Sequence, residues 1–161
     1  MRFRTGIGVD AHRFTVGRRL VLGGVEVEHS LGLEGHSDAD VLSHAIADSL
    51  LGAAGLEDIG HYFPDSDPAW RDASSIAMLE QVATLVREQG CRIGNVDAVL
   101  VLEKPRVAPY RQRMRSSLAR ALGVPESDVS LRGTTTEGMG FTGRGEGITV
   151  MAVSLLECGE Q

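Results

Sequence analysis

The sequence predicts an α+β fold, a mixed β-sheet with helices on one face, and three observations carry that reading. Strand-like segments gather at both ends of the chain with helices between them, in the order β, β-hairpin, α, α, β, α, β, β. No GxGxxG stands directly after the first strand and no GxxxxGK(S/T) occurs anywhere, so neither a dinucleotide fold nor a P-loop is supported. Apolar residues make up 42% and charged residues 24% of the 161, ordinary globular usage that predicts a packed core. A chain of that length buries roughly 70% of its unfolded surface. One domain over residues 1–161 is expected.

The opening RFRTGIGVD reads as a strand leaving the core, and RRLVLGGVEVEH as two short strands around a Gly-Gly turn. HSDADVLSHAIADSLLGAAG pairs Ser37 with Asp40 as a capping box, repeats apolar residues at 42, 45, 46, 50 and 53, and stops at Gly55. LEDIGHYFPDSDPAWRD, with two prolines and four aspartates, reads as a structured loop. A second helix is expected from about Ser74 to Gln89, with Ile76, Leu79, Ala83 and Val86 on one stripe. NVDAVLVLE reads as a mostly buried strand that stops at Pro105. A third helix, about Tyr110 to Leu122, turns Met114, Leu118, Ala121 and Leu122 inward. DVSLRGTTTE and GITVMAVSLLE close the chain as strands.

The 16 Lys and Arg against 22 Asp and Glu leave a formal charge of -6, which excludes a generic nucleic-acid binder that works through a basic surface. The arginines at 111, 113, 115 and 120 accordingly read as a solvated helix face. The N-terminus lacks the apolar stretch of roughly 7–15 residues that a signal peptide needs, and no longer apolar run occurs. No membrane partner and a cytoplasmic location are expected. Cys91 and Cys158 form no metal-ligand spacing and are expected to be reduced and structural.

Three stretches can carry chemistry. Asp10 and His12, two apart on a strand, point the same way and can converge on one ion, although a bland surface or core pair meets the same spacing. His36, Asp40, His44 and Asp48 recur every four residues at and through the start of the first helix. That polar stripe holds no Lys, so it reads as a site more than as a solvated face. Asp10, His12 and His44 together make a two-His, one-carboxylate zinc site with an open fourth position. His36 then sits by the substrate, and Asp48 either orients an imidazole or acts directly.

In TTTEGMGFTGRGEGI, glycines 143, 145 and 147 alternate around Arg144 and Glu146, which lets backbone amides approach an anion, and phosphate is the natural ligand. Glu137 offers a hard oxygen ligand to a divalent cation such as Mg²⁺. A plain glycine-rich turn between strands is the alternative. In DIGHYFPDSD, Asp58, Asp65 and Asp67 can accept hydrogen bonds from a polyol, and the Gly60 amide can donate to other oxygens. Calcium is the weaker reading there, since the spacing is not that of a Ca²⁺ loop. His29 and His61 receive no role.

DAHRF, GHSDADVLSHAIADSLLGAAGLEDIGHYFPDSDP, GNVDAVLVLEKPRVAPY and GTTTEGMGFTGRGEGI, in that order from about residue 4 to 157, resemble the 2-C-methyl-D-erythritol 2,4-cyclodiphosphate synthase family. The resemblance implies a homotrimer with sheets inside, helices outside and active sites at subunit interfaces. It implies zinc on Asp10, His12 and His44, with Asp10 and His12 also bordering the substrate. His36 and Ser37 would contact its erythritol and phosphate part, with Asp58, Ile59, Gly60, Phe63, Pro64, Asp65, Ser66 and Asp67 forming the rest of that pocket. A neighbouring subunit would bring Leu102, Glu103, Lys104, Pro105, Arg106, Val107 and Ala108 to the cytidine. Thr134, Thr135, Thr136 and Glu137 would hold the diphosphate and its Mg²⁺ or Mn²⁺, with His36 and Thr135 as transition-state stabilisers. Phe141, Arg144 and Glu146 would line a central trimer cavity for an isoprenoid phosphate. Arg106 stands where many members have Lys, which keeps the charge and changes its geometry. Gly138-Met139 stands where a Lys-Leu pair is common.

The activity so implied is that of a phosphorus-oxygen lyase of the non-mevalonate isoprenoid pathway. In 4-diphosphocytidyl-2-C-methyl-D-erythritol 2-phosphate, an oxygen of the 2-phosphate attacks the β-phosphorus and CMP leaves, closing the 2,4-cyclodiphosphate ring. An anion attacking an anion needs charge neutralisation and orientation above all. An acidic chain must draw these from metals, local Arg or Lys, and amide dipoles. Two readings from other classes use the same residues: a zinc hydrolase of phosphate esters, and a non-catalytic trimeric sensor of isoprenoid phosphates.

Overall fold

The computed structural model describes residues 1–159. Strand β1 (Arg2–Thr15) continues through Asp10, past the end expected from the sequence. β2 (Leu20–Leu22) and β3 (Val25–Val27) form the expected hairpin, with Gly23 and Gly24 at φ 58° and 72°, the paired positive angles that a two-residue turn demands. β4 (Gly32–Leu33), α1 (Val41–Ala54) and the one-turn α2 (Ile59–Tyr62) follow. Then come α3 (Ser75–Glu88), β5 (Cys91–Val101), α4 (Arg111–Leu122), β6 (Val129–Thr134), the short α5 (Gly140–Gly143) and β7 (Gly147–Cys158).

The main sheet has the order β4-β1-β7-β5-β6. β1, β7 and β5 pair antiparallel, whereas β5 and β6, joined through α4, pair parallel. The sheet is therefore mixed, as predicted. Along β1 the even-numbered residues face the helices, and Phe3, Ile7 and Val9 face away and are exposed. α1 crosses β1 and β7 and lies against α3, so ten of its fourteen residues are buried. Leu42, Ile46 and Leu50 from α1 meet Leu79, Leu100 and Leu118 in the core. Each contributes about 1.5–3 kcal/mol by leaving water.

Gly6 and Gly8 set how closely α1 approaches. A Cβ at Gly8 would fall 2.0 Å from the Ala45 carbonyl oxygen, and one at Gly6 would fall 2.0 Å from that of Ser49. Only glycine lets the helix backbone rest on the strand there.

Two expectations need correction. The helix cap is Asp40, not Ser37: its Oδ1 accepts from the Ser43 amide at 3.0 Å, and its Oδ2 from the Ser43 hydroxyl at 2.7 Å. The chain turns at Ala39 (φ 57°), so a helix cannot start earlier. Asp40 is fully buried and also accepts from the amides of Gly23 and Gly24 at 2.9 and 2.8 Å, which fastens the hairpin to the helix start. Second, Cys91 and Cys158 are joined in a disulfide rather than reduced. The β5 and β7 register sets them opposite each other although 67 positions separate them, a closeness that linear spacing does not reveal.

Candidate active site

The strand's period of two turns Asp10 and His12 to the same face, and the glycine-mediated contact brings α1 over them. His12 Nε2 lies 2.9 Å and His44 Nδ1 3.3 Å from Asp10 Oδ2. The three ligating atoms all fall within 4.8 Å of one another, and no other such cluster occurs among the described residues. Two imidazoles and a carboxylate, partly buried and converging on one point, can hold a metal ion.

The rings are held in place. His12 Nδ1 donates to the Glu34 carbonyl oxygen at 2.6 Å, which leaves Nε2 facing Asp10. His44 Nε2 lies 2.8 Å from the Ser75 hydroxyl and 3.3 Å from that of Ser37. Ser75 is itself tied to Asp38, whose Oδ2 accepts its amide at 3.0 Å and whose Oδ1 accepts its hydroxyl. Burial pushes the Asp10 carboxyl upward, but hydrogen bonds and charge from His12 and then His44 outweigh it and hold the group well below the usual carboxylate range. Burial likewise pushes His12 down, and the Asp10 contact outweighs it, so its pKa rises above 6.5.

These groups open into a cavity of about 270 Å³. Its walls include His36, Ser37, Ile59, Gly60, Phe63 and Asp65 from the predicted set, and Asp48, Trp70 and Met78 besides. The Asp48 carboxylate is engaged by the backbone: its Oδ1 accepts from the Ile59 amide at 2.8 Å, which ties α1 to the cavity loop. Asp58 caps α2 through the His61 amide at 3.0 Å. Asp67 accepts from the Ala69 amide at 2.9 Å, and its carbonyl oxygen lies 3.3 Å from His36 Nε2. Pro64 and Ser66 lie on the same loop outside the lining.

A second, separate cavity of about 320 Å³ is walled by Leu102, Glu103, Arg106, Val107, Ala108, Arg111, Gly133, Thr134 and Thr135. Glu103 Oε1 accepts from the amides of Thr136 and Gly138 at 3.1 and 3.4 Å, joining the two loops. Lys104 and Pro105, linked by a cis peptide, stand beside that lining. Glu137 is exposed at φ 53° and lines neither cavity.

A protein-family model described as the YgbB family matches residues 3–157. The chain belongs to the YgbB family. Among its relatives, it is 58% identical over 158 residues to the 2-C-methyl-D-erythritol 2,4-cyclodiphosphate synthase of Rubrobacter xylanophilus, covering 96% of this chain and 95% of that one. The fold is similar to the bifunctional IspDF of Campylobacter jejuni at TM-score 0.94 and 39% identity, covering 99% of this chain and 43% of that one. It is also similar to the CDP complex of Plasmodium falciparum IspF at TM-score 0.86 and 32% identity, covering 98% and 97%.

In this YgbB-family chain two readings of the polar motifs change. The amides of Gly143, Arg144, Gly145 and Glu146 donate to the carbonyls of Met139, Gly140, Thr142 and Phe141, so this turn satisfies itself instead of offering a nest of amides to an anion. Arg144 pairs with Glu146 at 3.1 Å beside the exposed Phe141, and Thr136 bonds to the Met139 carbonyl and to Thr142. Arg115 is anchored to the carbonyls of Val129 and Glu126 at 3.0 and 2.8 Å, so it does not belong to a purely solvated face. Ser75 and Asp38, which fix His44, carry no spacing signal, because they lie 31 and 6 positions from it on other elements of the chain.

Proposed function

We propose that the chain is a 2-C-methyl-D-erythritol 2,4-cyclodiphosphate synthase, a phosphorus-oxygen lyase that converts 4-diphosphocytidyl-2-C-methyl-D-erythritol 2-phosphate to the cyclodiphosphate and CMP. The observation that carries this is the Asp10, His12 and His44 cluster in the wall of a cavity sized for a small polyol phosphate. Their donor set fits zinc with an open position, which when bound supplies Lewis-acid polarisation of a phosphoryl oxygen. Glu137 would offer a carboxylate oxygen to a Mg²⁺ or Mn²⁺, which when bound would neutralise charge on the diphosphate.

The chain's own groups orient the reactants. Ser37, Ile59, Gly60, Phe63 and Asp65 hold the methylerythritol part, with Asp58, Pro64, Ser66 and Asp67 shaping the loop around it. His36 and Thr135 steady the transferring phosphoryl as proton-bearing groups that donate to its equatorial oxygens. Thr134 and Thr136 flank the diphosphate. The cavity bounded by Leu102, Arg106 and Ala108 takes the cytidine, with Lys104 and Pro105 fixing the turn.

One chain presents these two cavities separately, which supports a homotrimer in which one subunit's zinc cavity meets its neighbour's cytidine cavity. The open apolar sheet face supports the same assembly. Phe141 and Arg144 then sit at the axis, where an isoprenoid phosphate binds. One domain over residues 1–161 carries the activity, in the cytoplasm. No described helix is long and apolar enough to cross a membrane.

The test is incubation with zinc, Mg²⁺ and the cytidyl substrate, followed by phosphorus NMR and CMP release. Stoichiometric CMP with a cyclic diphosphate is expected, and His44→Ala abolishes both turnover and zinc binding. CMP with a linear product identifies a hydrolase, and a metal-loaded trimer without turnover identifies a sensor.

A further inference from the structure

The disulfide lies at one end of the sheet. Arg2 on β1 stands opposite Cys158 on β7, and Cys158 stands opposite Cys91 on β5, so one row crosses three strands. Arg4, two residues along β1, faces the same side as Arg2. Its Nε donates to the Ala53 carbonyl, which anchors the guanidinium at the end of α1. Arg92 and Glu157 alternate to the opposite face and pair with each other there. A cavity of about 320 Å³ opens over the row, walled by Arg2, Arg4, Ala54, Gln89 and both cysteines. Among the described residues no carboxylate lines it, in a chain whose formal charge is -6.

We propose that Cys91–Cys158 is an exchangeable redox site whose cavity docks an anionic low-molecular-weight thiol. The two arginines in its wall attract the carboxylates of such a thiol and stabilise the thiolate that must leave. In the exchange, the incoming thiolate attacks one sulfur, and the S–S electron pair departs on the other cysteine, which takes up a proton. A second molecule of the thiol then attacks the mixed disulfide. Two cysteine thiols and the oxidised small thiol result, so one protein disulfide is reduced as two thiols are oxidised. In the cytoplasm proposed above, disulfides are chiefly transient or redox-sensing, which agrees with an exchangeable pair.

The experiment uses the full chain purified without reductant and treated with glutathione, 2-mercaptoethanol or cysteamine at equal thiolate concentration. Intact mass follows the mixed disulfide and the reduced protein. Exchange is expected to fall in the order anionic, neutral, cationic thiol, over at least about fivefold at low salt, and to converge at about 0.5 M salt. Arg2→Ser removes most of that preference while zinc binding and circular dichroism stay unchanged, and Arg2→Lys restores it. Two free thiols in the protein as isolated would overturn the proposal. So would exchange rates set by thiolate concentration alone, with no dependence on charge.

Discussion

Ser75 Oγ lies 2.8 Å from His44 Nε2 while Asp10 faces Nδ1, so the imidazole is gripped on one side and presented on the other. Ser75→Ala removes that grip and leaves Asp38 with one donor fewer. Zinc affinity is expected to fall about 10-fold with the fold retained, measured by competition against a chromophoric chelator. The pH dependence follows from His12, whose folded value lies above 6.5 because Asp10 holds the proton on it. In the metal-free protein this pair adds stability below 6.5, which is lost as pH rises through the raised value. A metal needs the neutral ring, so its affinity runs the other way and drops as pH falls through the same window. Melting of metal-free protein and zinc titrations at pH 5.5 to 8.5 should therefore show opposite slopes, and parallel slopes would remove His12 from the ligand set. Asp10, His12 and His44 were legible in the sequence because the strand period puts the first two on one face and the helix period puts the third on a polar stripe, while their convergence rests on the contact of α1 with β1. Ser75, Asp38 and the Glu34 carbonyl were not, because each reaches the cluster through tertiary packing.

At the scale of elements, the hairpin, α1, α3, α4 and the closing strands follow from turn glycines and apolar periodicity. What escaped that reading depends on register or on a partner element. Asp40 looked like one of four residues on a reactive stripe, yet it is spent inside, bonding two turn amides and the helix start. The disulfide needed the β5 and β7 register, and the length of β1 needed β7 beside it. The glycines of β1 are the element-scale device that matters most to the site. A methyl at Gly8 would meet the Ala45 carbonyl at 2.0 Å, one position from His44, and neither backbone can give way without lifting α1. Gly8→Ala should destabilise the fold by about 3 kcal/mol in denaturant unfolding and weaken zinc binding in the same variant. A variant that unfolds earlier but binds zinc normally would show that α1 does not set the ligand geometry.

At the scale of the whole molecule, the sheet face turned away from the helices decides how the parts combine. Ile7 is 67% exposed opposite Val153 at 48%, and Val9 is 56% exposed opposite Met151 at 46%. Four apolar side chains thus adjoin in the middle of a long sheet, a patch that soluble monomers seldom leave open. In the proposed trimer this face is buried, and threefold packing brings each zinc cavity to a neighbour's cytidine cavity. Ile7→Glu would place three carboxylates on the apolar face that the proposed trimer buries, with the nearest cation on that face of β1 being Arg13, six residues along. Like charges desolvated at short range are strongly unfavourable, so the variant should sediment as a monomer. Zinc binding should persist, because Asp10, His12 and His44 all come from one chain. Turnover should be lost, because the monomer holds substrate by only one end. Sedimentation velocity paired with zinc titration and CMP release separates these effects, and a fully active monomer would mean that one chain brings its own two cavities together.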